Sequence, residues 1–148
     1  MSEGKHNVFV YGTLRCKPGQ TENKLGMTST GQFLFVQGSL YELGWFPGVK
    51  LDDGNSEPGT HGSVYCEVLS VSDHELRRLD YYEGCYMDDP SVSLFTRRLI
   101  NVDGIEGWIY EFNGSVHNKT RIITGDWFEP EPEPLQNASE LASLMEVA

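Results

Sequence analysis

The sequence predicts an α+β domain in which several β-strands are interrupted by one helix. Three observations favour this class. Short stretches of alternating apolar and polar residues recur between clusters of glycine, proline and asparagine. The stretch that begins at Ser72 has the spacing of an amphipathic helix instead. The chain of 148 residues is 39% hydrophobic, which is enough for the core of one compact domain.

The strand predictions rest on β-branched and aromatic residues at every second position. Residues 61–69 are an example, because Val64, Cys66 and Val68 would share one face while Tyr65 and Glu67 share the other. Glycine, proline and aspartate between residues 44 and 60 predict a long loop. Asp103-Gly104 is a hairpin turn signal. The expected strands are residues 8–11, one or two within 31–43, then 61–69, 93–102 and 107–112.

The helix is predicted from its caps and its apolar spacing. Ser72 and Glu75 form an S-x-x-E capping box, which marks a helix start. Leu76, Leu79 and Glu83 follow at i, i+3 and i+7 and therefore share one helix face. Gly84 supplies the flexible residue that ends a helix.

Charge and composition exclude several function classes. The net charge is −11, so a nucleic-acid phosphate backbone would be repelled. No apolar run is long enough for a membrane span, and the first residues, MSEGKHN, are typical of neither a secretion signal nor a transit peptide. We therefore expect a cytoplasmic protein. Three cysteines without a CxxC pair and four histidines without ligand spacing predict neither a disulfide framework nor a metal site.

The sequence after Phe128 differs from the rest. Glutamate and proline alternate in residues 129–134, which favours an extended linker, and the remaining residues are acidic. We expect the domain to span residues 1–128 and residues 129–148 to be a linker and tail. The last twelve residues are compatible with a frayed end or with a short docking helix.

Two features of the domain are unusual. Glu83 is a carboxylate at the end of an apolar helix stripe, where burial would raise its pKa and suit it to proton transfer. Gly12 follows the strand of residues 8–11 and would permit a tight reversal that leaves backbone amides free to hold an anion. The alternatives are a glutamate that turns to solvent at a frayed helix end and an ordinary β-turn.

Seven ordered segments resemble one known family. The chain is similar to the gamma-glutamylcyclotransferase-like superfamily, and within it to the branch of gamma-glutamylamine cyclotransferases and avirulence-induced-gene-like proteins. The matching segments are VFVYGTLR (8–15), GSLYELGWFPGV (38–49), HGSVYCEV (61–68), LDYYEG (79–84), FTRRLINV (95–102), GWIYEF (107–112) and ITGDWF (123–128).

The resemblance implies a fold and a site. The fold is a small mixed β-barrel of five to six strands flanked by helices, with the YGTL loop at its mouth. The catalytic residue of the family falls on Glu83. The substrate-binding positions fall on Tyr11, Gly12, Thr13, Leu14, Arg97 and Tyr110.

Two departures from the family pattern stand out. Phe95 occupies a position where tyrosine is common in the family. A role for a hydroxyl at this position is therefore in doubt. Residues 15–31 are poor in apolar side chains, so the helix usually found there is expected to be shortened or reshaped.

The implied reaction closes a gamma-glutamyl group into 5-oxoproline. The substrate's own α-amine attacks the gamma carbonyl and an amine or amino compound leaves, with Glu83 as general acid and base. No metal or organic cofactor is called for. The expected partner is a small gamma-glutamyl substrate, with neither nucleic acid nor membrane involved. The particular gamma-glutamyl compound and the oligomeric state are left open.

Two rival functions remain. A non-catalytic protein of the same fold would recognise a small acidic metabolite or a protein partner. A thiol enzyme would use Cys16 or Cys85 as nucleophile with His61, His74 or His117 as base, although isolated cysteines are more often packing residues.

Overall fold

The computed structural model describes residues 4–52 and 62–128 of the chain. Within these residues there are seven strands, one α-helix and a one-turn 3-10 helix at Pro90–Val92. None of the helices described is both long and apolar enough to span a membrane. The elements in chain order are β1 (Lys5–Val10), β2 (Thr28–Glu42), β3 (Pro47–Leu51), β4 (Gly62–Ser72), α1 (Asp73–Tyr82), β5 (Phe95–Val102), β6 (Ile105–Phe112) and β7 (Thr120–Arg121).

Five strands close into a mixed barrel in the order β1, β4, β2, β3, β6. The ring closes through parallel pairing of β1 with β6, where Val8 lies opposite Trp108 and Phe9 opposite Ile109. Strand β5 pairs with β6 outside the ring, and β7 pairs with β2. Closure removes the free edges of these five strands. The predicted mixed barrel is confirmed.

Strand β1 contributes to two separate cores because its side chains alternate between the two faces of the sheet. Phe9 packs inside the barrel with residues such as Val64, Cys66 and Ile109. Val8 and Val10 face outward and pack under helix α1. The end of β1 is therefore fixed from both sides, and the loop that follows it begins from a rigid point.

Helix α1 begins and ends as its sequence predicts. The Ser72 hydroxyl accepts a hydrogen bond from the Glu75 amide at 3.1 Å, and Glu75 Oε1 accepts one from the Ser72 amide at 2.9 Å. At the other end Gly84 has a φ of +64°, and the Cys85 amide donates to the Asp80 carbonyl at 2.8 Å. This αL termination satisfies carbonyls of the last turn and fixes the direction of the residue before Gly84.

One sequence prediction is wrong in part. The loop expected over residues 44–60 contains strand β3, Pro47–Leu51, which pairs with β2 and β6. Proline is tolerated there because it is the first residue of the strand. The turn at Asp103-Gly104 is confirmed, with φ values of +52° and +87°. Residues 53–61 and the predicted linker and tail at 129–148 lie outside the described residues.

The segment between β1 and β2 has no helix in the structure. It is a series of turns with one isolated bridge between Glu22 and Thr28. The expectation that this segment is reshaped therefore agrees with the structure. Few apolar side chains are available there, so side-chain hydrogen bonds rather than a helix face must hold it in place.

Candidate active site

A cavity of about 190 Å³ lies where the end of β1, the end of α1 and the β2–β3 connection meet. It is open on one side and mainly apolar, which is the usual character of a small-molecule site. Its lining residues are Phe9, Val10, Tyr11, Gly12, Thr13, Leu14, Phe46, Pro47, Tyr82, Glu83, Leu94, Phe95 and Tyr110.

Glu83 is the acidic residue in this lining. It caps the C-terminus of α1 and is partly buried. Removal from water raises the pKa of its carboxyl from 4.5 to about 7, and the positive charge of Lys24 opposes the shift in part. Among the described residues no side chain or amide donates a hydrogen bond to this carboxyl, so it is available to a bound molecule.

The loop from Gly12 to Arg15 follows β1 closely in the chain and forms one wall of the cavity. It closes as a turn in which the Arg15 amide donates to the Gly12 carbonyl at 3.0 Å. The amides of Gly12, Thr13 and Leu14 have no acceptor among the residues that the structure describes. Successive free amides on a cavity wall can bind a carboxylate or an oxyanion.

Glycine is required at position 12 for a different reason from the one predicted. Gly12 does not have the left-handed φ that a glycine-dependent reversal would use. A Cβ at this position would instead lie 2.6 Å from Cγ and 2.8 Å from Cδ of Pro47. The glycine thus allows the loop to approach β3 closely.

Asn23 fastens this loop from below. Its side chain is buried, and its Nδ2 donates to the Leu14 carbonyl at 2.9 Å. Its Oδ1 accepts from the amides of Leu25 and Met27, each at 3.0 Å. One side chain therefore organises the segment before β2 and ties it to the cavity wall.

Glu67 and Asp126 hold the far end of the same loop. The buried carboxylate of Glu67 accepts from the Cys16 amide at 2.6 Å and from the Ser29 hydroxyl at 2.8 Å. The Arg15 guanidinium pairs with Asp126 at 2.7 Å. Buried charge-assisted hydrogen bonds of this kind are costly to break. The loop is consequently rigid on both sides of its free amides.

The hydroxyl of Tyr11 belongs to the barrel rather than to the cavity. It donates to the Tyr110 carbonyl at 2.6 Å and accepts from the Val49 amide at 3.3 Å. Burial raises the pKa of Tyr11 well above its usual value, and the charge of Glu83 adds to the shift. Tyr11 therefore stays protonated and braces three strands behind the cavity wall.

Tyr110 connects the cavity to an ion pair behind it. Its hydroxyl donates to Asp80 Oδ1 at 2.7 Å, and Asp80 Oδ2 lies 3.4 Å from Nη1 of Arg97. Burial, followed by the hydrogen bond to Asp80, raises the pKa of Tyr110. The guanidinium of Arg97 stacks 4.3 Å from the centre of the Trp108 ring. Tyr110 is thus a fixed neutral phenol at physiological pH.

Six of the seven predicted site residues come together around one cavity. Glu83, Tyr110 and the four residues of the YGTL loop line it, whereas Arg97 does not and reaches Tyr110 only through Asp80. Phe95 lines the cavity as an apolar wall and packs its ring against Phe46, 6.1 Å between centroids.

Sequence reasoning missed two important residues. Asp80 lies four residues after Leu76 and so shares its side of α1, a spacing that would have revealed its inward orientation. Asn23 starts the segment Asn-Lys-Leu-Gly, whose asparagine and glycine are typical turn residues and mark a local side-chain cap.

The thiol alternative finds no support in the geometry. Burial raises the pKa of Cys85, and burial together with Glu67 raises that of Cys16, so both thiols are poor nucleophiles. Cys85 contacts the sulfur of Met87 rather than a histidine. His61 lies outside the described residues. Within them, no cluster of three or more histidine, cysteine or acidic residues is arranged to hold a metal ion.

Comparison with known proteins identifies the family of the chain. The profile of the family described as "Gamma-glutamyl cyclotransferase, AIG2-like" matches residues 8–129. The chain belongs to this family. The match begins at β1 and includes every residue that lines the cavity, so the YGTL loop, Glu83 and Tyr110 all lie within the family's common region.

Relatives from bacteria and from an animal match parts of this chain. The Vibrio cholerae protein named "Putative gamma-glutamylcyclotransferase" is 32% identical over 83% of this chain and 96% of its own. The "Gamma-glutamylcyclotransferase family protein YtfP" of Escherichia coli is 29% identical over 82% and 96%. Its solution structure superposes with a TM-score of 0.58 over 83% of this chain. "Gamma-glutamylaminecyclotransferase" of Bos taurus is 30% identical over 68% of this chain and 59% of its own.

Proposed function

We propose that this protein is a cyclotransferase that releases 5-oxoproline from a gamma-glutamyl amine or gamma-glutamyl amino compound, with Glu83 as general acid and base. The observation that carries the proposal is that one small cavity holds a carboxyl and backbone amides that have no hydrogen-bond partner among the described residues. Proton transfer and oxyanion stabilisation are the two tasks that this reaction requires of a protein. Family membership supports a cyclotransferase activity in general.

The first step forms the lactam nitrogen–carbon bond. Glu83 takes a proton from the substrate's α-ammonium group, and the amine attacks the gamma carbonyl carbon. The electron pair of the carbonyl moves onto its oxygen, and the amides of Gly12, Thr13 and Leu14, which line the cavity, stabilise the negative charge in this proposal. Holding the glutamyl chain in a folded conformation lowers the entropic cost of this ring closure.

The second step breaks the original amide bond. The attacking nitrogen, now part of the ring, releases its second proton to solvent. The protonated Glu83 gives its proton to the leaving nitrogen, the oxyanion collapses, and the carbon–nitrogen bond cleaves. The products are 5-oxoproline and the free amine, with Glu83 again ionised. A carboxyl whose pKa is about 7 exchanges between both forms near neutral pH, which this double role requires.

Tyr110 and Phe95 are suited to shape the pocket around the glutamyl chain. Phe95 closes one side with an apolar ring. Tyr110 has its hydroxyl held by Asp80, so it presents a fixed wall rather than a titrating group. In this proposal Arg97 acts only as a positioning residue, because it reaches Tyr110 through Asp80.

The experiment measures 5-oxoproline release by the purified protein from a panel of gamma-glutamyl amines and gamma-glutamyl amino acids. Glu83→Gln keeps the shape of the side chain and removes its titrating proton, so we expect at least about a hundredfold loss of kcat. Glu106→Gln, an exposed residue of β6, is the matched control and should retain activity.

Two outcomes would contradict the proposal. One is full activity in Glu83→Gln, since the proton transfer would then be performed elsewhere. The other is an inactive parent protein that nevertheless binds 5-oxoproline or glutamate, which would support the non-catalytic binding protein instead.

A further inference from the structure

A second depression lies directly beside the cavity, on the outer face of α1. It is formed by residues of the helix and by one residue of the segment before β2. The lining residues are Leu25, His74, Arg77, Arg78, Tyr81 and Tyr82. We call this surface the basic depression.

Tyr82 is common to the cavity and the basic depression. Its ring is about half exposed and forms the partition between them. Glu83 is the next residue in the chain, and Arg78 lies five residues before it, ~7.5 Å along the helix axis. A substrate whose glutamyl part lies in the cavity could therefore extend past Tyr82 and reach the basic depression with a linker of a few atoms.

Two cations in this region are available to a ligand. Arg78 is exposed and has no ion-pair partner within the described residues. The acid nearest to it on the helix, Glu75, is engaged in the capping box. Lys24 is also exposed, and its ammonium lies 5.3 Å from the centre of the Tyr82 ring. Arg77, by contrast, interacts with the charge of Asp73.

The surrounding charge makes this concentration of cations unusual. The whole chain has 22 acidic residues and only 11 lysines and arginines. Three of those 11, namely Lys24, Arg77 and Arg78, lie at the partition or in the depression beside it. A positive patch on an otherwise negative molecule attracts anions to that place and repels them elsewhere.

We propose that the leaving amine of the substrate carries an anionic group, such as a carboxylate, that binds to Arg78 and Lys24 across the Tyr82 partition. This inference rests on the proposed function and specifies its substrate class. The glutamyl part occupies the cavity and the anion occupies the basic depression. A leaving amine with a second cationic group is disfavoured, because it would meet the positive charges of Arg78 and Lys24.

The test compares two substrates that differ only in charge. These are gamma-glutamyl-4-aminobutyrate and its carboxamide, gamma-glutamyl-4-aminobutyramide, and the quantity measured is the ratio of their kcat/KM values. We expect the parent to favour the carboxylate by up to about fivefold, which is the range that exposed ion pairs supply. The preference should decrease as salt is added.

Variants assign the preference to residues. Arg78→Gln should bring the ratio close to one, and Lys24→Gln should reduce it. Lys24→Gln also alters the pKa of Glu83, but this effect applies to both substrates and cancels in the ratio. Lys119→Gln makes the same change of charge at an exposed position outside both surfaces, so the ratio should persist.

The outcomes separate this inference from the proposed function. If neither compound nor any member of the wider panel yields 5-oxoproline, the proposed function fails and the substrate class fails with it. If the parent has equal kcat/KM values for the two compounds, only the anion site is overturned. A preference that survives in Arg78→Gln and Lys24→Gln also overturns it.

Discussion

Gly12 and Pro47 touch so closely that no side chain fits between them: a Cβ on Gly12 would lie 2.6 Å from Pro47 Cγ. Gly12 does not have a positive φ, so an alanine there meets a steric obstacle but not the strain of a left-handed backbone. We expect Gly12→Ala to destabilise the protein by about 1–3 kcal/mol, as overpacking does, and to lower activity by moving the amides.

The double variant Gly12→Ala/Pro47→Ala tests this contact. Alanine lacks both Cγ and Cδ, the two atoms that would collide, so it should recover part of the lost stability and activity. Denaturant unfolding and 5-oxoproline release measure the two effects. Strictly additive losses in the double variant would show that the contact is not the reason for the glycine.

The pH dependence of activity should follow the ionisation of Glu83. In the proposed reaction the ionised form of Glu83 is the active one, so kcat/KM should rise with pH with a midpoint near 7. Lys24→Gln removes a positive charge that lowers the pKa of Glu83, so the midpoint should move to higher pH. A pH–rate profile of both proteins is the measurement. A midpoint that stays fixed or moves to lower pH would contradict this account.

Stability should depend on pH through the same group. The folded-state pKa of Glu83 is raised. Its favourable contribution to the free energy of unfolding is therefore fully present below about pH 4.5 and is lost as pH rises through about 7. Glu83→Gln has no charge to desolvate. It should therefore be more stable than the parent at pH 8, by on the order of 2 kcal/mol, with a smaller difference at pH 5.

Thermal or denaturant unfolding of the two proteins at both pH values measures the difference. Glu106→Gln, which removes an exposed carboxyl, should show no such pH-dependent gain. A Glu83→Gln variant that is less stable than the parent at pH 8 would mean that the carboxylate has a stabilising partner.

Asn23 should affect stability and substrate binding separately. Asn23→Ala removes the bonds to Leu14, Leu25 and Met27, and we expect a loss of about 1–3 kcal/mol. Asn23→Asp keeps the acceptor for Leu25 and Met27 but loses the donor to Leu14. We expect it to retain more stability and to raise KM, because the wall that carries the free amides is loosened. Equal effects of the two substitutions on stability and KM would argue against this division.

Much of the site could be predicted because its signals are local. The capping box of Ser72 and Glu75, the stripe from Leu76 to Glu83 and the terminating Gly84 are all written within thirteen consecutive positions. The structure confirms the helix start, the helix end and the inward face. Local hydrogen bonds and helical spacing determine these features, and both are readable from one segment.

The remaining features depend on residues that are distant in sequence. The role of Gly12 depends on Pro47, and the free amides of its loop depend on Asn23 and Glu67. Strand β3 was hidden because its first residues read as turn residues, while its pairing partners lie in β2 and β6. Tertiary pairing of this kind overrides local preference, so no pattern within β3 itself would have revealed it.

Because β1 packs in two cores, the two halves of the pocket differ in how easily their sequence can change. The amides proposed to hold the glutamyl part follow directly from that strand, so changing their geometry would disturb packing on both faces of the sheet. The surface that would meet the leaving group is made of exposed residues of α1 and of the turns before β2. Substitutions there cost little stability. A new leaving-group preference can therefore arise by surface change alone, while the ring-closing half of the pocket is inherited intact.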